Sequence, residues 1–265
     1  MPRKRRLDIA LVERGLAPSR AAAQRLILAG QVLVNDRLLD KPATSVSEDA
    51  RIEIKEGLRY VSQGGLKLEK ALHEFRIEVR DTVCLDVGAS TGGFTDCLLQ
   101  QGARRVYAVD VGKGQLDWKL RKDPRVVVLE GVNARYLRPE QIGERVDLAA
   151  VDVSFISVKK ILPALMPIVK PSGDLIVLVK PQFEAGREDV RRGGVVKDPQ
   201  VHRRVLEDLA RFTKELEISV VNAAYSPIRG PAGNIEFLLH LVNEPGRARG
   251  IDWEGLVAEA HLSLS

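Results

Sequence analysis

The chain has 265 residues, of which 45% are hydrophobic and 29% charged, so it can bury the core of one or two domains and is too apolar to be disordered. Its 41 basic and 36 acidic residues leave +5, and the excess is local: residues 1 to 38 hold eight basic and three acidic groups, while the rest of the chain is balanced. Two cysteines and four scattered histidines exclude a disulfide framework and a structural metal site, and the short apolar runs exclude a signal peptide or membrane span, so a soluble, cytoplasmic protein without metal is expected.

In chain order, Leu7, Ala10 and Leu11 form a short helical stripe ending at Gly15, and Ser19 stands as N-cap of a second helix over 20–29, closed by Gly30. Val32 to Val34 reads as a strand entering a tight turn at Asn35-Asp36, and Ile52-Glu53-Ile54 as a second strand. Residues 1–59 thus form a small α+β domain whose first 38 residues carry the charge excess, as an anion-reading module would. Arg3, Lys4, Arg5, Arg6, Arg20, Arg25 and Lys41 would supply phosphate contacts whose affinity falls with salt. Taken singly, each is an ordinary solubilising charge.

Residues 60–65, with adjacent Gly64 and Gly65, read as a linker. A helix follows, with Leu68, Ala71, Leu72 and Phe75 at i, i+3, i+4, i+7. From residue 83 apolar strands alternate with helix-length segments: 83–87, 106–109, 126–129, 148–151, 175–179, 218–221 and 235–239. Seven such strands over 66–265 predict a mainly parallel sheet with helices on both faces.

The first of these strands runs into Asp86-Val87-Gly88-Ala89-Ser90-Thr91-Gly92-Gly93-Phe94. Glycines permit a tight strand-to-helix turn and close backbone approach to a ligand. Ser90 stands where a dinucleotide fold has its second glycine, and a carboxylate at the strand end would repel a phosphate. Asp86 suits a cationic ligand such as S-adenosylmethionine. Asp110 with Val111, ending the second strand, could accept ribose hydroxyls, and Asn133 after the third could meet an adenine edge.

Asp152 ends the fourth strand and Lys180 the fifth; Glu236 is expected within the last. A lysine at the end of a buried strand is costly unless paired, so the neighbouring carboxylates would help hold it. A structural ion pair for Asp152 and Lys180, and a solvent-facing Glu236, are the plain alternatives. Lys67 lies off the apolar stripe of its helix, and spacing alone favours a solvated face for it.

The stretch Asp86 to Phe94, the segment Asp152-Val153-Ser154-Phe155-Ile156-Ser157, the run Lys180-Pro181-Gln182-Phe183-Glu184-Ala185-Gly186 and Gly193-Gly194-Val195-Val196 resemble the TlyA (haemolysin A) family. The N-terminal part, from Arg6-Leu7-Asp8 to Ala29-Gly30-Gln31-Val32, resembles the ribosomal-protein-S-four type of RNA-binding domain. The resemblance implies a Rossmann-like class I methyltransferase domain of FtsJ (RrmJ) type behind an RNA-binding domain. The implied activity is S-adenosylmethionine-dependent methylation of a ribose 2′-hydroxyl in ribosomal RNA or ribosomal subunits. It also implies a Lys-Asp-Lys-Glu tetrad on Lys67, Asp152, Lys180 and Glu236, against the spacing argument for Lys67. Gln63 departs from the family, which commonly has Arg there.

On this reading Lys180 removes the hydroxyl proton, Lys67 tunes and orients it, and the carboxylates position both. The binding residues would be Asp86, Gly88, Ser90, Gly92, Gly93, Phe94, Asp110, Val111, Asn133 and Asp152. A cytosine-carbon methyltransferase is excluded, because neither Cys84 nor Cys97 falls near the fourth strand end. An exocyclic-amine enzyme would show Asp/Asn-Pro-Pro-aromatic; Asp152-Val153-Ser154-Phe155 keeps the acid and the aromatic at that interval but lacks both prolines, and Lys180 counts against it, so it stays as the second reading among enzymes. An RNA-binding assembly protein with an inert methylase fold and a membrane-lytic protein remain as readings from other classes.

Overall fold

The computed structural model describes residues 4–28, 31–35, 37–39, 41–54, 59–191 and 193–264, apart from the side chains of Arg25, Leu28 and Leu38. The expected helix closure at Gly30, the turn residue Asp36 and the phosphate-contact candidate Arg3 lie outside the described residues, as does the side chain of Arg25. The chain divides into two compact units, Met1–Arg59 and Tyr60–Ser265.

The first unit runs β1 (Lys4–Arg6), α1 (Leu7–Glu13), α2 (Arg20–Leu28), β2 (Val32–Val34), β3 (Arg37–Leu38), β4 (Ser45–Ser47) and β5 (Ile52–Ile54). Leu7 and Leu11, one helical turn apart, are fully buried with Ile27 and Val32. Ser19 Oγ accepts from Ala22 N at 3.2 Å, the expected N-cap of α2. β2 pairs with β3 and β5, and β1 pairs with β4. The sequence gives no sign of β1 and β4: Lys-Arg-Arg is exposed throughout and Ser-Val-Ser buries only its centre.

The second unit opens with α3 (Gly64–Phe75), then β6 (Val83–Val87), α4 (Gly93–Gln100), β7 (Arg105–Asp110), α5 (Trp118–Arg121), β8 (Val126–Glu130), α6 (Pro139–Ile142) and β9 (Val146–Val151). It continues with α7 (Leu162–Leu165), β10 (Val169–Val179), α8 (Pro181–Glu184), α9 (Pro199–Glu215), β11 (Ser219–Tyr225), β12 (Phe237–Val242) and α10 (Trp253–Ser263). The sheet order is β11-β12-β10-β9-β6-β7-β8. Pairing is parallel from β10 through β8, while β12 runs antiparallel to both its neighbours.

Both sheet faces are covered, as continuous apolar strands require. On β6, Leu85 and Val87 point into a core shared with α7, α9 and α10, and Cys84 into one shared with α3 and α4. Residues 60–65, expected as a linker, pack in the second unit. Tyr60 is buried in its core, and a Cβ on Gly65 would collide with the Tyr60 side chain, so the two glycines open α3 where that ring lies against the helix. The last strand begins later than expected, which puts Glu236 one residue before β12.

Candidate active site

The carboxyl ends of the parallel strands converge on a cleft of about 360 Å³. Gly88 leaves β6 at φ 88°, and a Cβ there would strike the Asp152 carbonyl oxygen, so the close approach of these two chain segments requires glycine. Asp110 pins the following turn: its Oδ2 accepts from Ser90 N at 2.8 Å and its Oδ1 from Gly112 N at 2.7 Å. Asn133 Oδ1 caps the turn after β8 by accepting from Arg135 N at 3.0 Å. Gly88, Ser90, Asp110, Val111, Asn133 and Asp152 all line the cleft. So do Gln115 and, from the family-like segment after Asp152, Ser154, Phe155 and Ile156, none of which was expected among the binding residues.

Gly92, Gly93 and Phe94, also expected at the cofactor, do not line it. Phe94 is buried in the core beside α3, and side chains on Gly92 or Gly93 would meet Leu120 or Ser62; the three residues pack the start of α4. Asp86 is likewise off the cleft wall and fully buried. Its Oδ2 accepts from Thr95 Oγ1 at 2.6 Å, and its Oδ1 has no hydrogen-bond partner among the described residues. Burial pushes this carboxyl up to about 7, against the pull of Thr95, with the charges of Asp152 and Asp110 adding to the rise.

Strand register brings together three of the four expected tetrad residues, and α3 supplies the fourth. Val179 pairs with Phe237, so Lys180 and Glu236, each one residue beyond that pair, emerge side by side. Val151 pairs with Val177 on the other flank of β10, which brings Asp152 alongside. Lys180 Nζ lies 2.6 Å from Asp152 Oδ1 and donates to Ser154 Oγ at 2.8 Å. Lys67 Nζ donates to Glu236 Oε2 at 2.5 Å. Lys67 is only 7% exposed and Glu236 1% exposed, which overturns both the solvated helix face and the solvent-facing strand residue. Burial raises the Glu236 carboxyl above its ordinary range; Lys67 and Lys180 oppose the rise and Asp152 adds to it. Gly230 is a neighbour that sequence reasoning missed, since any side chain there would run into the Glu236 carboxylate.

Two of the sequence motifs are latched together. Glu184 on α8 accepts from Ser157 Oγ at 2.6 Å and from Val158 N at 2.7 Å, tying the segment after Asp152 to the segment after Lys180. Between the latched ends, Phe155 takes φ 64° and is 91% exposed, its ring 5.2 Å from that of Phe183. Asn234 fastens the glycine pair farther along: its Nδ2 donates to Gly194 O at 2.8 Å and its Oδ1 accepts from Val196 N at 2.9 Å.

In the first unit the candidate phosphate contacts fall into two groups. Arg6 and Arg20 are bound to Asp8, which is fully buried, at 3.0 and 2.9 Å, and Arg5 lies 3.7 Å from both Glu13 and Glu48. Lys4 and Lys41 are exposed and have no acidic partner among the described residues.

A seven-stranded sheet with one antiparallel strand, a glycine turn after the first parallel strand and acids at successive strand ends defines a methyltransferase of the Rossmann-like class. Residues 60–243 match the FtsJ-like methyltransferase family, and residues 5–52 match the S4 domain. The chain belongs to the FtsJ-like methyltransferase family. It is 48% identical to the 16S/23S rRNA (cytidine-2′-O)-methyltransferase TlyA of Mycobacterium tuberculosis, covering 100% of this chain and 99% of that protein. Hemolysin A of Brachyspira hyodysenteriae is 43% identical, over 89% of this chain and 99% of its own. A solved structure from Streptococcus thermophilus is 45% identical with a TM-score of 0.77, covering 99% of this chain and 97% of that one. Among the described residues no helix is long and apolar enough to cross a membrane.

Proposed function

We propose that this protein transfers a methyl group from S-adenosylmethionine to a ribose 2′-hydroxyl of ribosomal RNA, in the cytoplasm, with residues 1–59 as its RNA-binding half. The observation that carries the reading is the meeting of the Lys67–Glu236 and Lys180–Asp152 pairs beside the cleft. The Mycobacterium tuberculosis relative, aligned over the whole chain, is named for that reaction on cytidine.

The cleft fits the cofactor. Its volume suits a nucleoside-sized ligand. Each Asp110 oxygen accepts one backbone N–H and keeps a second lone pair for a ribose hydroxyl. Below the turn, the unpartnered Oδ1 of Asp86 is an acceptor suited to a cation or a bridging water. When bound, S-adenosylmethionine supplies a methyl group on sulfonium sulfur, an activated leaving group that needs no further acid.

The protein's own work is then positioning and one proton transfer. Lys180, in neutral form, takes the proton of the 2′-hydroxyl as its oxygen advances along the line to the methyl carbon, and later releases it to solvent. Asp152 holds Nζ from one side. Lys67, fixed by Glu236, orients the same cluster from the helix side.

The test is transfer of labelled methyl from S-adenosylmethionine to ribosomal subunits by wild type and Lys180→Ala. Loss of at least about 100-fold in rate is expected for removal of a general base; full activity in the variant would remove Lys180 from the mechanism. If the wild-type protein bound RNA but no S-adenosylmethionine by calorimetry, an RNA-binding assembly role would replace the enzymatic one.

A further inference from the structure

We propose that Ser154 is a positioning residue that aims the lone pair of Lys180 at the substrate hydroxyl; the inference rests on Lys180 as the base. Lys180 Nζ has two oxygen neighbours, Asp152 Oδ1 at 2.6 Å and Ser154 Oγ at 2.8 Å. A neutral amine carries two N–H bonds and one lone pair, arranged tetrahedrally about the bond to Cε. The N–H donated to Ser154 Oγ fixes rotation about the Cε–Nζ bond, and of the two corners left the Asp152 carboxylate, an ion-pair neighbour, draws the second N–H to its own side, which leaves the lone pair at the other. Without Ser154 the amine turns about its Cε–Nζ bond, and an N–H points at the substrate oxygen in a large share of orientations. The proton balance is simple: the ribose O–H bond breaks, its proton forms the third N–H at the free corner, and the hydrogen bond to Ser154 and the ion pair with Asp152 stay in place.

The rest of the loop is built to hold Ser154 at this distance. Ser154 lines the cleft between Asp152 and Phe155. Phe155 sits in the left-handed region at φ 64°, a conformation that non-glycine residues seldom adopt. Glu184 latches the same loop from its far end through Ser157 Oγ and Val158 N. A strained residue between two fixed ends sets the Ser154 hydroxyl toward Lys180 and leaves the Phe155 ring in solvent. Ser154 is itself exposed, so its side chain supports no core packing.

The experiment compares wild type, Ser154→Ala, Ser154→Thr and Lys180→Ala, full-length, with ribosomal subunits and S-adenosylmethionine at saturation. Ser154→Ala is expected to lower kcat about 10- to 100-fold, the scale of a small misplacement of a reacting group, with KM for RNA and calorimetric affinity for S-adenosylhomocysteine unchanged. Ser154→Thr, which keeps the hydroxyl, restores most of the rate. Unchanged kcat in Ser154→Ala, an effect confined to cofactor affinity, or failure of Ser154→Thr to restore the rate would each overturn the proposal. Full transfer by Lys180→Ala would instead overturn the base assignment beneath it, so the two failures are told apart in one series.

Discussion

Both units enclose buried carboxylates, and Asp8 in the first is treated in the opposite way to Asp86 and Glu236 in the second. Asp8 in the first unit accepts from Arg6 Nε and Nη2, both at 3.0 Å, and from Arg20 and Gln24, both at 2.9 Å. The Arg6 guanidinium, helped by Gln24 and Arg20, holds this carboxyl well below the usual range against the opposing effect of burial. In the second unit Asp86 and Glu236 each have one oxygen in a hydrogen bond and one without a partner among the described residues, and burial raises both. Buried oxygens left unmatched are expensive, and proteins keep few of them. The saturated carboxylate ties α1 and α2 together; the unsaturated ones lie behind the strand ends that form the cleft, off its wall.

The largest test of that contrast is at Glu236. Glu236→Ala leaves the Lys67 ammonium buried and unpaired, which costs about 3–5 kcal/mol, and methyl transfer is expected to vanish. The double variant Lys67→Met with Glu236→Leu removes both charges; it should recover most of the lost stability and none of the activity. Urea unfolding followed by tryptophan fluorescence reads the second unit alone, because Trp118 and Trp253 both lie in it. If Glu236→Ala unfolds at the wild-type midpoint, the pair is not what makes Lys67 tolerable in the interior.

The opposite carboxyl shifts give the two units opposite pH dependences. Asp8 is depressed when folded, so its stabilisation is present above the unfolded value of 3.8 and is lost as pH falls through the folded one. Asp86 is raised, so its contribution is complete below 3.8 and is lost as pH rises from there to about 7. At pH 8 the ionised Asp86 is expected to cost on the order of 4 kcal/mol relative to pH 4. Asp86→Asn should therefore be the more stable protein at pH 8 by tryptophan-monitored unfolding, with the advantage gone near pH 4. Asp8→Asn should weaken protection of α1 amides against hydrogen exchange at pH 7 by about 2 kcal/mol, an effect that shrinks in acid. A common pH trend in the two units would contradict the contrast.

Much of this was legible in the residue pattern. The sheet strands announce themselves because strands buried on both faces are continuous apolar runs, and β6, β7, β9 and residues 175–179 of β10 are of that kind. Asp110, Asn133 and Asp152 were readable because a parallel strand delivers its last residues to one rim. Lys67 was not: a cation off an apolar stripe reads as solvated, and its burial depends on Glu236, which lies 169 positions away. Nor were Gly92, Gly93 and Phe94, where one glycine-rich run serves both ligand approach and helix packing. The Asp8 cluster was hidden for a related reason, since charge counting treats Arg6 and Arg20 as available cations while the fold commits both to an internal acid.

That commitment yields the smallest prediction. Arg6 and Arg20 remain 43% and 56% exposed at the side chain while bonded to Asp8. A phosphate reaching them competes with a carboxylate they already serve, and full release would leave Asp8 buried without its charge partners. Lys4 and Lys41 have no such competitor among the described residues. Lys4→Ala and Lys41→Ala should each flatten the slope of log affinity against log salt for an rRNA fragment by about 0.7 to 0.9, with the stability of the first unit unchanged. Arg20→Ala should do the reverse, lowering the stability of that unit by about 1–2 kcal/mol and changing the slope by less than either lysine variant. Fluorescence anisotropy between 50 and 200 mM salt, about the range over which counterion release is resolved, measures the slope. A larger slope change in Arg20→Ala than in either lysine variant would mean that the Asp8 network opens to RNA, and the saturated carboxylate would then belong to a binding surface instead of a structural clamp.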